Sequence, residues 1–193
     1  MTVLRCTAKL LKRLKLPAKP PVPEAQANPL GEWYADIDFC NRKPYVVMLN
    51  AATGATLMLN GNAAGLRVLH ERAAVQFASL CEYYGIDSDK VDAEVAALQA
   101  GFVFGATADR SLLASMNQRK EMAWLRFEHD GYSLAEAALR EWEGFFKHPA
   151  LGRNTRYNMQ WHKPLELLQQ HLLPPAQIIV FPRGRAAQPA DSG

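Results

Sequence analysis

The sequence predicts an α+β fold, with a small, mainly antiparallel sheet packed against four to six helices. Strand-like runs include an N-terminal run, a three-strand meander over residues 33–59 and one later run near residue 102. The segments that follow the meander have helical spacing. Strands and helices that are largely segregated along the chain are typical of α+β domains.

The composition is that of a globular protein with one core. Of the 193 residues, 49% are apolar and 21% are charged, which is the balance of ordinary soluble domains. No apolar run approaches the roughly 18 residues needed to span a bilayer, so we expect no membrane anchor. We expect a single domain over residues 1–175. We also expect a tail without stable structure over 176–193, where "QIIVF" is the run that would otherwise add an edge strand.

The N-terminal segment predicts a strand followed by a short helix. "TVLRCT" alternates, Thr7 can cap a helix, and "AKLLKRLK" places its leucines on one arc. A targeting peptide is the alternative, since the segment is basic and free of acids until Glu24, but it lacks an apolar h-region and a cleavage site. We expect residues 3–7 to join the sheet of the meander, and the Pro-rich stretch 17–29 to form a surface loop.

The remaining elements follow from caps, glycines and apolar spacing. "FVFGAT" reads as a buried strand, because it is short, apolar and bounded by small residues. The predicted helices run from the cap at Asn62 through Tyr84, within "DSDKVDAEVAALQAG", from Asp109 to about His129, from the cap at Ser133 through Lys147, and from Pro164 to Leu173.

The segment "TADRSLLASMNQRK" opens an amphipathic helix with an unusual set of polar residues. At 100° per residue, Arg110 and Asn117 project from the same flank, two turns apart, and Asp109 is a candidate cap. Lys120 falls inside the apolar arc, where it either extends along Trp124 or pairs with a carboxylate on the sheet. The predicted buried arc contains Leu112, Leu113, Met116, Ala123, Trp124 and Phe127.

The start of this helix is a candidate anion site. Arg110 and Ser111 lie where first-turn N–H groups point outward with partial positive charge. The alternative is that Asp-Arg-Ser only caps and solvates the helix.

Four stretches together resemble a bacterial family catalogued as domain of unknown function 6933. They are "LRCTAKLLKRL", "LGEWYADIDFCNRK", "TADRSLLASMNQ" and "YNMQWHKPLELLQQHL", and the resemblance spans about residues 3–173. It implies a fold and a focal segment, and no activity. The matching positions are Arg5, Cys6, Thr7, Trp33, Tyr34, Arg110, Ser111, Ser115, Met116 and Asn117, and the chain departs from the family at Ala8, Asp36, Asp109, Ala114 and Gln118.

The charge is distributed unevenly along the chain. Residues 1–20 carry six Lys or Arg and no acid, residues 21–146 carry ten against seventeen acids, and residues 147–193 carry six against two. If the two ends meet in the fold, they form one positive face; otherwise they are solvated termini.

Several classes of site have no support in the sequence. No dinucleotide, P-loop or serine-hydrolase motif occurs, and the five histidines lack metal-ligand spacing. We expect neither a metal nor a cofactor. Three scattered cysteines indicate a reducing compartment. Cys6 is either activated by its neighbour Arg5 or a small buried residue, and Trp33 and Tyr34 are either a nucleic-acid platform or part of the core.

Two functions remain open. The first is a non-catalytic binding protein of the bacterial cytoplasm that holds an anionic partner: a nucleic acid, a nucleotide or an acidic protein surface. The alternative is an enzyme acting on a phosphate-containing substrate, although no base can be assigned to activate a serine. The candidate binding residues are Arg5, Thr7, Trp33, Tyr34, Arg110, Ser111, Ser115 and Asn117.

Overall fold

A computed structural model describes residues 1–24, 26–147 and 161–174. The described chain contains a five-stranded sheet, a two-stranded ribbon, seven α-helices and one π-helical turn. The elements are β1 (Thr2–Cys6), α1 (Ala8–Arg13), β2 (Trp33–Cys40), β3 (Lys43–Asn50), β4 (Thr56–Asn60), α2 (Ala63–Arg67), α3 (Leu69–Tyr83), α4 (Asp89–Gln99), β5 (Phe102–Ala106), α5 (Arg110–Leu125), the π-helical turn (Arg126–Asp130), α6 (Leu134–Glu143), β6 (Phe146–Lys147), β7 (Trp161–His162) and α7 (Pro164–Leu172).

The sheet has the order β4-β3-β2-β1-β5, so the N-terminal strand lies inside the sheet, as predicted. The meander β2-β3-β4 is antiparallel, but β1 is parallel to both of its neighbours. The predicted α+β fold is confirmed, and the sheet is mixed rather than purely antiparallel. A parallel pair needs a crossover of roughly a dozen residues or more, and α1 with the Pro-rich loop supplies one between β1 and β2.

Two strand predictions need correction. The run "FVFGAT" forms β5, but as an edge strand whose Phe102, Val103 and Phe104 are only half-buried. Tyr34 and Asp36 alternate with the apolar residues of β2, a pattern typical of a strand with one solvent-facing side, yet they are buried, at 4% and 5% exposure. Helix α5 covers that face of the sheet, so both faces of β2 are occupied.

The helices begin where predicted, and several end earlier. Asn62 caps α2, but the helix expected through Tyr84 is interrupted at Val68, whose φ of −114° and ψ of 29° are not helical. Helix α6 ends at Glu143 because Gly144 is extended, rather than continuing to Lys147. Helix α5 passes into the π-helical turn after Leu125.

The core lies on both faces of the sheet. On one face, Trp33 is fully buried and meets Phe77 of α3 edge-on, with ring centroids 6.1 Å apart. On the other, Met116 and Ala123 of α5 are fully buried. None of the helices in the described ranges is long and apolar enough to cross a membrane. The predicted tail, with "QIIVF", lies outside the described residues.

Candidate functional site

Two parallel strands, β1 and β5, end together at one edge of the sheet, and β2 runs past them from Ala35 to Cys40. Cys6 of β1 pairs with Ala35 of β2 and with Ala106 of β5. Helices α1 and α5 both begin just beyond this edge, and the Thr107 amide donates to the Cys6 carbonyl at 3.2 Å. The carboxyl ends of parallel strands are where open sheets commonly bind ligands, because helix starts and loops converge there. Most of the candidate residues lie on this edge.

Arg5 is neutralised within the fold. Its Nε donates to Glu32 Oε2 at 2.8 Å, and its Nη2 donates to Glu32 Oε1 at 2.7 Å. This bidentate hydrogen bond to Glu32 is the main reason that the pKa of Arg5 is raised above its ordinary value. A guanidinium held in this way by a carboxylate has little capacity left for an external anion.

Tyr34 connects the sheet to the start of α5. Its hydroxyl accepts a hydrogen bond from the Asp109 backbone, and burial, followed by the charge of Glu32, raises its pKa. Asp109 in turn caps α5: its Oδ1 accepts from Ser111 N at 2.7 Å and from Leu112 N at 3.3 Å. The predicted cap is confirmed. The first-turn amides are therefore already occupied by a carboxylate of this chain, which leaves the Arg110 side chain rather than the amides to meet an anion.

A second polar group lies under α5. The Thr7 hydroxyl donates to Asp36 Oδ1, and Lys120 Nζ donates to Asp36 Oδ2 at 2.5 Å. Thr7 also accepts from the Leu10 amide at 3.3 Å, as predicted for a helix cap. Lys120 thus pairs with a carboxylate on the sheet, the second of its two predicted roles. Its stem and amine are mostly buried, with 14% of the side chain exposed.

The other candidates are divided among different surroundings. Arg110, Ser111 and Asn117 are exposed, and Ser115 is partly buried. Trp33 is 0% exposed and points to the opposite face of the sheet, where its Nε1 donates to Glu94 at 2.9 Å. The structure therefore gathers Arg5, Thr7 and Tyr34 beneath the starts of α1 and α5, and it keeps Trp33 out of reach of any ligand in solvent.

Asn117 lines a cleft between α5 and the sheet, which we call the α5 cleft. Its volume is about 500 Å³. The predicted buried arc is wrong at Trp124, which is 45% exposed, while Arg119 takes its place in the interior at 5%. The residues lining the α5 cleft are Asp38, Tyr45, Asn117, Lys120, Glu121, Trp124 and Leu125.

A second cavity, also about 500 Å³, adjoins the first at Tyr45. The π-helical turn forms part of its wall through Phe127, and Cys40 Sγ donates to Glu128 Oε1 of the same turn at 3.2 Å. Single π-helical turns are rare and often occur at functional sites. Burial raises the pKa of Cys40, and also that of Cys6, so neither thiol is activated; Cys6 is a buried core residue.

The described residues contain no group of three or more His, Cys, Asp or Glu that could hold a metal ion. A family model described as Domain of unknown function (DUF6933) matches residues 3–157. The chain belongs to this family. The match supports the resemblance drawn from the sequence, over a shorter stretch that stops before α7. No curated protein and no solved structure matches the chain.

In this DUF6933 protein, three charged residues that form contacts within the fold escape prediction from sequence. Glu32 follows a Pro-rich loop and carries no pattern that would pair it with Arg5. Asp36 alternates with apolar residues and resembles a solvent-facing position. Glu94, on α4, is fully buried and accepts hydrogen bonds from the loop and from Trp33. The signal that was available is Lys120, a cation inside an apolar arc, because such a cation requires a buried partner.

Proposed function

We propose that this chain is a non-catalytic binding protein for an anionic partner, which is a nucleic acid, a nucleotide or an acidic protein surface. The observation that carries the proposal is a set of exposed cations, three at or just after the end of α1 and one in the first turn of α5. We call it the basic edge, and it consists of Lys12, Arg13, Lys15 and Arg110.

The basic edge has no internal counter-charge in the part of the chain that the structure describes. None of its four side chains forms an ion pair there, whereas the neighbouring Lys9 pairs with Asp38 at 3.0 Å. The first acid of the sequence is Glu24. Exposed cations without partners attract polyanions over a distance of about a Debye length, roughly 8–10 Å at ordinary salt.

We further propose that the protein acts in the bacterial cytosol. The three cysteines are free and buried, which suits a reducing compartment. The enzymatic alternative gains no specific support, because Ser111 is exposed and its hydroxyl hydrogen bonds to no histidine or carboxylate in the described ranges. A serine without a base is a poor nucleophile.

The test is binding of a labelled single-stranded oligonucleotide, a nucleoside triphosphate and a poly-glutamate peptide to the Lys12→Glu/Arg13→Glu double variant. We expect the anion that binds the wild type to bind this variant at least fivefold more weakly. For the oligonucleotide, the slope of log K against log salt should fall by about 1.4, or about 0.7 for each lost phosphate contact. Fluorescence anisotropy over a salt series measures both quantities.

The matched control is Arg67→Glu/Arg72→Glu, which makes the same change of charge at exposed positions on α2 and α3. It should leave binding nearly unchanged. If both double variants weaken anion binding equally, the effect comes from the net charge of the protein and not from the basic edge. The absence of saturable binding to all three anions would reject the proposal.

Arg110→Ala tests the α5 part of the basic edge. An arginine in the first turn opposes the helix dipole, at a cost of roughly 0.3–1 kcal/mol. We expect the variant to keep or slightly raise its melting temperature while it binds the anion more weakly. If Arg110→Ala and Asn117→Ala both lose several kcal/mol of unfolding free energy, the two side chains stabilise the fold and are not contacts for a partner.

A further inference from the structure

The α5 cleft differs in charge from the basic edge. Its lining contributes two carboxylates, Asp38 and Glu121, and one amine, Lys120. That amine is already held by the buried Asp36 at 2.5 Å, and it lies 4.0 Å from Asp38. Because these carboxylates neutralise Lys120, its amine contributes little to the attraction of an anionic ligand.

The charged groups in and beside the α5 cleft sum to a net negative charge. Asp36, Asp38 and Glu121 supply three carboxylates, and Lys120 and Lys9 supply two amines. Glu121 is exposed and makes no ion pair with any residue in the described ranges. An anion entering the cleft would meet an unpaired carboxylate, and a cation would complete its charge balance.

The lining of the α5 cleft also includes exposed apolar side chains. Trp124 is 45% exposed and Leu125 is 41% exposed, although both line a concavity. Tryptophan has the aromatic ring that attracts cations most strongly, because its face carries the negative part of the ring quadrupole. The Asn117 amide lies on the same lining and offers an acceptor for an N–H or O–H group.

We propose that the α5 cleft binds a small organic cation, an ammonium or guanidinium group on a compact apolar frame. The charge lies near Glu121 and Asp38, and the frame contacts Trp124 and Leu125. The cleft volume of about 500 Å³ falls within the range of roughly 300–1,000 Å³ that holds small molecules. This site is separate from the basic edge and takes a ligand of the opposite charge.

The tryptophans of the chain make the proposal measurable. Of the four, Trp33 and Trp142 are 0% exposed, whereas Trp124 and Trp161 are exposed. In a Trp161→Phe background, Trp124 is the remaining exposed tryptophan. A ligand in the α5 cleft will then change the solvent-accessible part of the emission, and acrylamide quenching will report its protection.

The probe is choline, titrated at constant ionic strength and compared with its neutral isostere 3,3-dimethylbutan-1-ol. We expect a saturable change in Trp124 emission with choline and no saturable change with the alcohol. Glu121→Gln should weaken the response at least fivefold, because it removes the unpaired carboxylate and keeps the side-chain shape. Trp124→Leu should abolish choline binding measured by calorimetry.

The matched control is Glu82→Gln, which neutralises an exposed glutamate of α3 that also lacks an ion pair within the described chain. It should leave choline binding unchanged, and so should Lys12→Glu/Arg13→Glu. The proposal is overturned if choline gives no saturable response, if the alcohol binds as well as choline, or if Glu82→Gln weakens binding as much as Glu121→Gln does. Melting curves of each variant confirm that it is folded.

Discussion

At the scale of single residues, Glu94 is a fully buried carboxylate that joins a loop to a helix. It is 0% exposed, and it accepts hydrogen bonds from Leu30 N at 2.9 Å, Trp33 Nε1 at 2.9 Å and the Asn28 amide at 3.0 Å. Its carboxylate thereby fastens the end of the Pro-rich loop to α4. Burial raises the pKa of Glu94, because desolvation outweighs the stabilisation of its charge by these donors.

Glu94→Gln should lose about 1–3 kcal/mol of unfolding free energy at neutral pH. The amide keeps the size of the side chain, but it turns an N–H group toward backbone and indole donors, and so leaves buried donors unsatisfied. Urea denaturation followed by tryptophan fluorescence measures the loss. A change below about 0.5 kcal/mol would mean that water or a shift of the loop satisfies these donors.

The raised pKa of Glu94 also predicts a pH dependence. Its ordinary value is 4.5, so the native state holds the proton more tightly than the unfolded chain does. The stabilisation linked to this proton is complete below about pH 4.5, and it is lost as the pH rises through the folded-state pKa. Because glutamine does not titrate, the stability gap between wild type and Glu94→Gln should narrow as the pH rises from about 4 to 7. A gap that widens over this range would contradict the assigned direction.

At the scale of elements, a buried ion cluster joins α5 to α6. Arg119 and Arg126 both bond to Glu141, whose side chain is 3% exposed. The Arg119 guanidinium also lies over the Phe146 ring, 5.2 Å from its centroid. The cluster fixes the position of α6 against α5, and α5 carries the lining of the cleft.

Glu141→Gln should destabilise the protein by about 3–5 kcal/mol, because it leaves a mostly buried arginine without a counter-charge. The neighbouring Glu143→Gln is the control, since Glu143 pairs with Arg140 at the surface of the same helix. Its unfolding midpoint should match that of the wild type. Similar midpoints for the two variants would show that water reaches the Glu141 cluster.

The elements were largely predictable, whereas their charged contacts were not. Caps at Thr7, Asn62, Asp109 and Ser133 lie in local sequence and mark helix starts directly. Contacts such as Arg5 with Glu32 depend on how a long loop returns to the sheet, which no local pattern encodes. Besides Lys120, a second signal was present: Glu94 lies on the same stripe of α4 as buried Val91 and Leu98. A charge on an apolar stripe implies a buried partner.

At the scale of the whole molecule, one core joins the sheet to the last described helix. Leu168 and Leu172 of α7 belong to the same buried cluster as Trp33 and Phe77. Two hydrogen bonds tie the end of α7 to the start of α4, from Ser88 Oγ to the Leu172 carbonyl at 2.8 Å and from Lys90 Nζ to the His171 carbonyl at 2.9 Å. Helix α7 is therefore part of the fold, although the family match ends at residue 157.

Two truncations test where the folded domain ends. Removal of residues 176–193 keeps α7 and its bonds to α4, so the melting temperature should stay within experimental error of the wild type. Removal of residues 164–193 also deletes buried Leu167, Leu168 and Leu172. Each fully buried leucine contributes roughly 1.5–3 kcal/mol, and a domain has only about 5–15 kcal/mol in total, so the shorter chain should be largely unfolded at 25 °C. Circular dichroism melts compare the two. If removal of residues 176–193 lowers the melting temperature by several degrees, "QIIVF" packs on the domain and the boundary lies beyond residue 175.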